Sequence, residues 1–330
     1  MSDGASRVSR AGLRVSPGFV NEVLTKPGTG ERAVASEMHD PATPDEATGR
    51  RPALGIIAGG GKLPGLVAAA ARAAGREVFV VALEGYAEPA VLAPFPHAPA
   101  RIGAAGRILQ LLHAAACRDL VLVGPVRRPS LLDLRPDAEG ARILARIGRA
   151  AFAGDDGLLA AVVRVLAEEG FRVLGAHEIL TEAVGPRGQL SRLPPDAQAM
   201  SDIERGIAVA RALGAADVGQ ACVVQQGIVL SVEAAEGTDA MLARSRALAR
   251  PGPGGVLVKL VKPGQDRRAD LPTIGPETVR AAAAAGLRGI AFEAEGTLLT
   301  DRAAMIATAD GAGLFLLGID PTQPLQGDTR

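Results

Sequence analysis

The chain has 330 residues, 48% of them hydrophobic, and its 36 basic and 36 acidic side chains cancel to zero net charge. That length suggests about two domains with sizeable cores, and the charge balance argues against a nucleic-acid binder working through a broad positive field. With 41 glycines, 23 prolines, no Trp and one Tyr, the packing falls to Ala, Val and Leu.

Residues 1–51 are polar, rich in Gly, Ser, Thr and Pro, and carry both charge signs. They read as a disordered extension outside the fold. They offer no apolar run for a signal peptide, and Glu22, Glu31, Glu37 and Asp40 do not suit an acid-poor transit peptide. No stretch reaches about 18 uninterrupted apolar residues, so no membrane span is expected. Cys117 and Cys222 lie far apart without a CxxC pair and read as buried thiols of a reducing compartment.

The folded part opens at Ala53–Ala58, an apolar run of the buried-strand kind. Gly59, Gly60 and Gly61 break it, and 63–74 reads as a helix ended by Gly75. A strand at 77–83 completes a βαβ unit, and a helix at 105–116 and a strand at 119–124 repeat the alternation. Helices are expected at 139–151 and 156–168, then a strand at 171–174. Farther on, 201–214 reads as a helix with Ser201 as its cap. The stretch "QACVVQQGIVLSVEA" reads as two strands joined by a tight turn near Gly227. Thr238 opens a helix to about Ala249, "GGVLVKLV" is a strand, and 276–285 is helical. "GIAFEA" and "GTLLT" read as paired strands, 301–309 as a helix and "GLFLLGI" as a closing strand. The fold class is therefore α/β with two α/β domains: a Rossmann-like first domain with a mainly parallel sheet at 52–179, and a mixed second domain at 180–330.

Two places carry candidate chemistry. The glycine turn offers backbone N–H groups and a helix N-terminus to phosphate, and Glu84 follows Gly61 by 23 residues, near the spacing of a ribose-binding acid. "GGGKLPG" departs from G-x-G-x-x-G, because Pro64 stands at the third glycine. It therefore reads as a tight turn or a phosphate contact before it reads as a dinucleotide fingerprint. The second place is "GQDRRADLPTIG", 264–275, where Lys259, Lys262, Arg267, Arg268 and Asp270 gather around one strand exit. Two lysines at a strand end are ordinarily solvated, and Thr238 and Asp239 read as helix cap and first-turn acid. His177 is isolated and reads as a packed residue. Residues alone lead to a phosphate-binding α/β protein, with an NAD(P)-dependent oxidoreductase or a non-catalytic nucleotide-sugar or lipid binder as alternatives.

The segments "GIIAGGGKLPGLVAAAARAAG", "GDDGLLAAVVRVLAEEGFRVLGAHEIL", "DVGQACVV", "EAAEGTDAML", "KLVKPGQDRRADLPTIGPETV" and "GLFLLGID", in this order, resemble the LpxI-type UDP-2,3-diacylglucosamine pyrophosphatase family. The resemblance covers roughly residues 53–321. It implies a cytoplasmic hydrolase of lipid A biosynthesis, at most peripheral to the inner membrane of a Gram-negative bacterium, with two domains clasping the lipid. It implies Mg²⁺ as cofactor and cleavage of UDP-2,3-diacylglucosamine to UMP and 2,3-diacylglucosamine 1-phosphate (lipid X), by attack at the β-phosphorus. No nucleic-acid partner is expected, and a homodimer is a candidate assembly. The family's essential aspartate matches Asp270, which becomes the catalytic candidate and the candidate metal ligand. The substrate-binding candidates are Gly61, Lys62, Gly124, Gln220, Thr238, Lys259, Lys262 and Arg267. Pro125 after Gly124 departs from the family pattern and weakens a ligand role there.

Overall fold

The computed structural model describes residues 51–127, 134–148 and 155–324. The reading of 1–51 as an extension, apart from residue 51, and the last three residues of the helix expected at 139–151 lie outside them. Two sheets dominate an α/β chain, one mainly parallel and one mixed. Contacts divide the chain into two compact units, parting after Arg142.

In the first sheet β1 (Ala53–Ala58) pairs in parallel with β2 (Val78–Leu83) on one side and with β4 (Cys117–Val123) on the other. All of β2 is buried, as expected of a strand covered on both faces. The helix between β1 and β2, α1 (Leu63–Ala73), carries Pro64 in its first turn and buries Val67, Ala68 and Ala71. A short helix α2 (Pro89–Leu92) and an edge strand β3 (His97–Ala100), which pairs with β2, had no counterpart in the sequence reading. α3 (Ala105–Ala114), α4 (Ala138–Ile147), α5 (Asp155–Glu168) and β5 (Arg172–Leu174) follow, and the strand order is β3-β2-β1-β4-β5.

A short helix, α6 (Ala176–Ile179), and the two-residue strand β6 (Gly188–Gln189) lead to the long helix α7 (Ala197–Ala215). The expected Ser201 cap is wrong. The helix begins after Asp196, whose carboxylate accepts from Ala199 N at 2.8 Å, because "PPD" stops the preceding chain and supplies the capping acid. β7 (Ala221–Gln225) and β8 (Ile228–Val232) form the expected antiparallel hairpin. Gln226 and Gly227 both take positive φ at its turn, and the buried Asp202 carboxylate accepts from both their N–H groups.

α8 (Gly237–Ser245) continues in a 3₁₀ turn, and β9 (Val256–Lys259) follows. Then come β10 (Thr273–Ile274), α9 (Pro276–Ala284), β11 (Gly289–Glu293), β12 (Leu298–Leu299), α10 (Arg302–Ala312) and β13 (Phe315–Ile319). The order in the mixed sheet is β6-β13-β11-β9-β7-β8. β11 and β12 are not partners as expected. Parallel neighbours β9 and β13 occupy both edges of β11, so β12 pairs instead with β10.

Alternate residues of β9 feed two cores. Leu257 packs with Met241, Leu242, Ile290 and Phe292 on one face, while Val256 and Val258 pack with Ile203 and Cys222 on the other. A strand covered on both faces reads as a continuous apolar run, which is why "GGVLVKLV" lacks alternation. Cys117 and Cys222 are buried free thiols, as expected, and burial pushes each up to about 12. No helix among the described residues is long and apolar enough to cross a membrane.

Candidate functional site

The glycine turn after β1 is a backbone device. Gly59 N donates to Val123 O at 2.8 Å, Gly60 N to Pro125 O at 2.9 Å, and Gly61 N to the Glu88 carboxylate at 3.1 Å. A Cβ on Gly59 would lie 2.3 Å from Gly124 O, and one on Gly124, whose φ is +95°, 2.4 Å from Gly60 O. These glycines are therefore required by close approach of two strand ends. Lys62 precedes α1 as an exposed N-cap residue whose side chain does not cap the helix. Glu84 is exposed at the end of β2.

The exit of β9 is built from side chains. Lys259, the last residue of the strand, is only 6% exposed, against the expectation that these lysines are solvated. Its ammonium donates to Thr238 Oγ1 at 2.7 Å, and the Thr238 hydroxyl donates in turn to the Glu233 carboxylate. An ammonium can only donate, so the hydrogen placement in this chain is forced. Glu233 is buried and accepts from Gln220 N at 3.2 Å. Thr238 thus faces the strand exit rather than capping α8, which corrects the helix-cap reading. The side-chain oxygen of Gln220 is buried and has no hydrogen-bond partner among the described residues.

Glycines bring the pieces close. A Cβ on Gly214 in α7 would lie 2.8 Å from Pro263 Cδ, and one on Gly219 would lie 2.2 Å from Glu233 O. Three residues past the strand, Lys262 Nζ donates to Asp217 at 2.7 Å and to Asp156 at 3.1 Å. Burial pulls its ammonium pKa down, but the bonds to Asp217 and Asp156 outweigh this and hold it above the usual lysine value. The loop then folds back through Gln265. Its N–H donates to Lys262 O at 3.1 Å, its side-chain oxygen accepts from Lys262 N at 3.2 Å, and its amide donates to Asp270 Oδ2 at 2.9 Å. Gln265 is 8% exposed and Asp270 half-buried.

Burial pushes the Asp270 carboxyl up. Lys259 and Lys262 pull it down, Asp156 and Glu233 add to the rise, and the net shift is upward. Arg267 is half-exposed and lies 3.7 Å from Glu293, whose other oxygen accepts from Val261 N at 3.0 Å. Arg268 is clamped to Asp266 by two bonds, at 2.9 and 2.7 Å.

Of the sequence candidates, the β9 exit therefore brings together Gln220, Thr238, Lys259, Lys262 and Asp270, with Arg267 on the same loop. Gly61, Lys62 and Gly124 belong to the first unit. Sequence reasoning missed Gln265, Asp217, Asp156, Glu233 and Glu293. Only "GDDG" and "DVGQ", quoted for their resemblance, pointed near Asp156 and Asp217. Among the described residues no three His, Cys, Asp or Glu side chains form a metal cage.

Residues 53–183 match the LpxI N-terminal domain, and residues 186–317 match the LpxI C-terminal domain. Over 276 residues the chain is 46% identical to the UDP-2,3-diacylglucosamine pyrophosphatase LpxI of Caulobacter vibrioides, covering 82% of this chain and 98% of that protein. The β9 exit with its Asp270 loop lies inside the second match, and this chain belongs to the LpxI family.

Proposed function

We propose that this chain hydrolyses the pyrophosphate of UDP-2,3-diacylglucosamine to UMP and lipid X in lipid A biosynthesis. In this reading Mg²⁺ assists, Asp270 is the acting carboxylate, and the second domain, 180–330, carries the chemistry. One water is consumed and one P–O bond of the diphosphate bridge breaks. The observation that carries the reading is Asp270 itself: a carboxyl raised by burial, bonded at one oxygen to Gln265 and set beside two ammonium groups. Burial and neighbouring charge are the usual means of tuning a catalytic acid or base.

The charges explain why a cation is called for. Lys262 is already matched by Asp156 and Asp217, and Lys259 reaches Glu233 through Thr238. A diphosphate approaching Asp270 would add negative charge to a cluster whose carboxyls already outnumber its two lysines. Magnesium favours one or two carboxylates with phosphate oxygens and retained waters over an all-protein cage. The donor set fits that pattern: Asp156, Asp217 and Glu233 are engaged within the protein, which leaves Asp270 to hold the ion together with the substrate. Bound there, the ion would neutralise charge on the phosphate oxygens.

An ammonium has three donors, so Lys259 and Lys262 each keep N–H groups for phosphate beyond their intramolecular bonds. Arg267, half-exposed on the same loop, is a third cation for the substrate. Gln220, Gly61, Lys62 and Gly124 complete the proposed contacts. The dinucleotide alternative gains nothing from the glycine turn, whose three amides already have acceptors within the protein.

The test is incubation of the purified protein with UDP-2,3-diacylglucosamine and Mg²⁺. Release of UMP and lipid X is expected, with label from oxygen-18 water entering lipid X. Saturable micromolar NADH binding without UMP release would overturn the reading.

A further inference from the structure

We infer that Gln265 is a positioning residue for Asp270, fixing which carboxylate oxygen is offered to the reaction; this rests on the hydrolase reading above. Gln265 sits inside the loop that joins Lys262 to Asp270, and its side chain is spent wholly within that loop. Its carboxamide oxygen accepts from Lys262 N at 3.2 Å, and its amide nitrogen donates to Asp270 Oδ2 at 2.9 Å. Flipping the amide would set NH₂ against the Lys262 N–H and an oxygen against the Asp270 carboxylate, so its orientation is dictated by its partners.

The turn beneath it is also closed. Gln265 N donates to Lys262 O at 3.1 Å, while Ala269 N and Asp270 N both donate to Asp266 O, at 2.9 and 3.2 Å. Backbone bonds thus place the Asp270 Cα, but they leave the rotation of its carboxylate unset. Among the described residues, the Gln265 amide is the donor that engages this carboxylate, at Oδ2, which leaves Oδ1 as the oxygen offered. The residue that holds Gln265 in register is Lys262, whose own ammonium is tied down by Asp156 and Asp217. One residue therefore links a phosphate-binding cation to the acting carboxylate.

At 8% exposure and with both ends engaged, the amide satisfies the Lys262 N–H and one Asp270 oxygen and so holds loop and carboxylate in one arrangement. The consequence is a split between binding and turnover. The Gln265 side chain is engaged inside its own loop, so its loss should leave affinity in place and misaim the reacting group.

The experiment compares Gln265→Met, which keeps shape and loses both bonds, with Gln265→Asn, which keeps the amide but withdraws it by one methylene from both partners. UMP release is measured for kcat and KM, and thermal unfolding for Tm. Both variants should lose kcat by about 10–100-fold, as is common for groups that orient a reacting side chain, with KM within about threefold. Tm should fall by a few degrees at most. If Gln265→Met does not fold, Gln265→Asn decides the matter alone. A folded variant with kcat within about threefold of the parent overturns the inference, as does a kcat loss that only tracks a smaller folded fraction. An inactive parent would sink the hydrolase reading and this role with it. An active parent, an inactive Asp270→Ala and fully active Gln265 variants would sink this role alone.

Discussion

The glycine turn after β1 and the exit of β9 occupy the same kind of place, the C-terminal end of a strand with parallel pairing, where α/β proteins usually put ligands. They are made of different materials. At the turn, three consecutive N–H groups find acceptors and two glycine backbones touch, leaving little but shape. At the exit, buried side chains carry opposed charges in a closed web around one carboxylate whose pKa has risen. Shape can receive a ligand without reacting with it, whereas a buried web of charge costs desolvation energy and concentrates groups able to meet phosphate. This contrast is the basis for proposing contact at the first place and reaction at the second.

Removing the metal is the strongest way to break that contrast. Exhaustive chelation should stop UMP release, and added Mg²⁺ should restore it; undiminished turnover would show that the web needs no further positive charge. Asp270→Ala should come next, with kcat lower by about 10²–10⁴-fold and the fold retained. Asp266→Ala is its neighbour control and should lose far less, since Asp266 is engaged by Arg268. Equal, modest losses at both positions would reduce the loop to ordinary surface charge.

Two smaller effects separate shape from charge. Gly59→Ala should cost about 1–3 kcal/mol of stability by overpacking, because its Cβ meets backbone rather than a movable side chain. Urea midpoints would measure this, and turnover per folded molecule should hold. Thr238→Val should also cost about 1–3 kcal/mol by stranding Lys259 and Glu233, and Thr238→Ser should recover most of it. A neutral Thr238→Val would mean the web is idle.

The smallest expected effect is a pH dependence at the rim. Burial raises the Glu293 carboxyl pKa, against the pull of Val261 N, Arg267 and Arg211. A carboxyl with a raised folded-state pKa weakens the fold as pH climbs from its unfolded value, about 4.3, through the folded one. Glu293→Gln should therefore match the parent below about pH 4.3 and gain on it at higher pH, as read from urea midpoints. The opposite trend would mean the Arg267 pairing dominates.

Much of the fold was legible because glycine and proline punctuate it. The run 53–58, its glycine turn and the following helix are each bounded by residues with one reading, and the β7–β8 hairpin announced itself through Gly227. β3 was hidden because "HAPA" is a poor strand by propensity; Pro99 is tolerated there since β3 lies at the sheet edge. β6, β10 and β12 are two residues each, too short for any periodicity. Asp270 was legible only through resemblance. The partners of Lys262 stand 106 and 45 residues away in the chain, so no local spacing could pair them. Lys259 was misjudged for a physical reason: a lysine is buried only when something distant compensates it, and here that is Thr238 with Glu233.

The two cysteines give this protein a pair of clocks. Each thiol is buried and pushed up to about 12, so almost no thiolate exists at neutral pH and alkylating reagents meet nothing reactive in the native state. Labelling can proceed only when the chain opens around the sulfur. Cys117 lies on β4 of the first sheet and Cys222 on β7 of the second. The rate at which each takes up label therefore times the opening of its own sheet, without any engineered probe, and would tell whether the two sheets open together or apart.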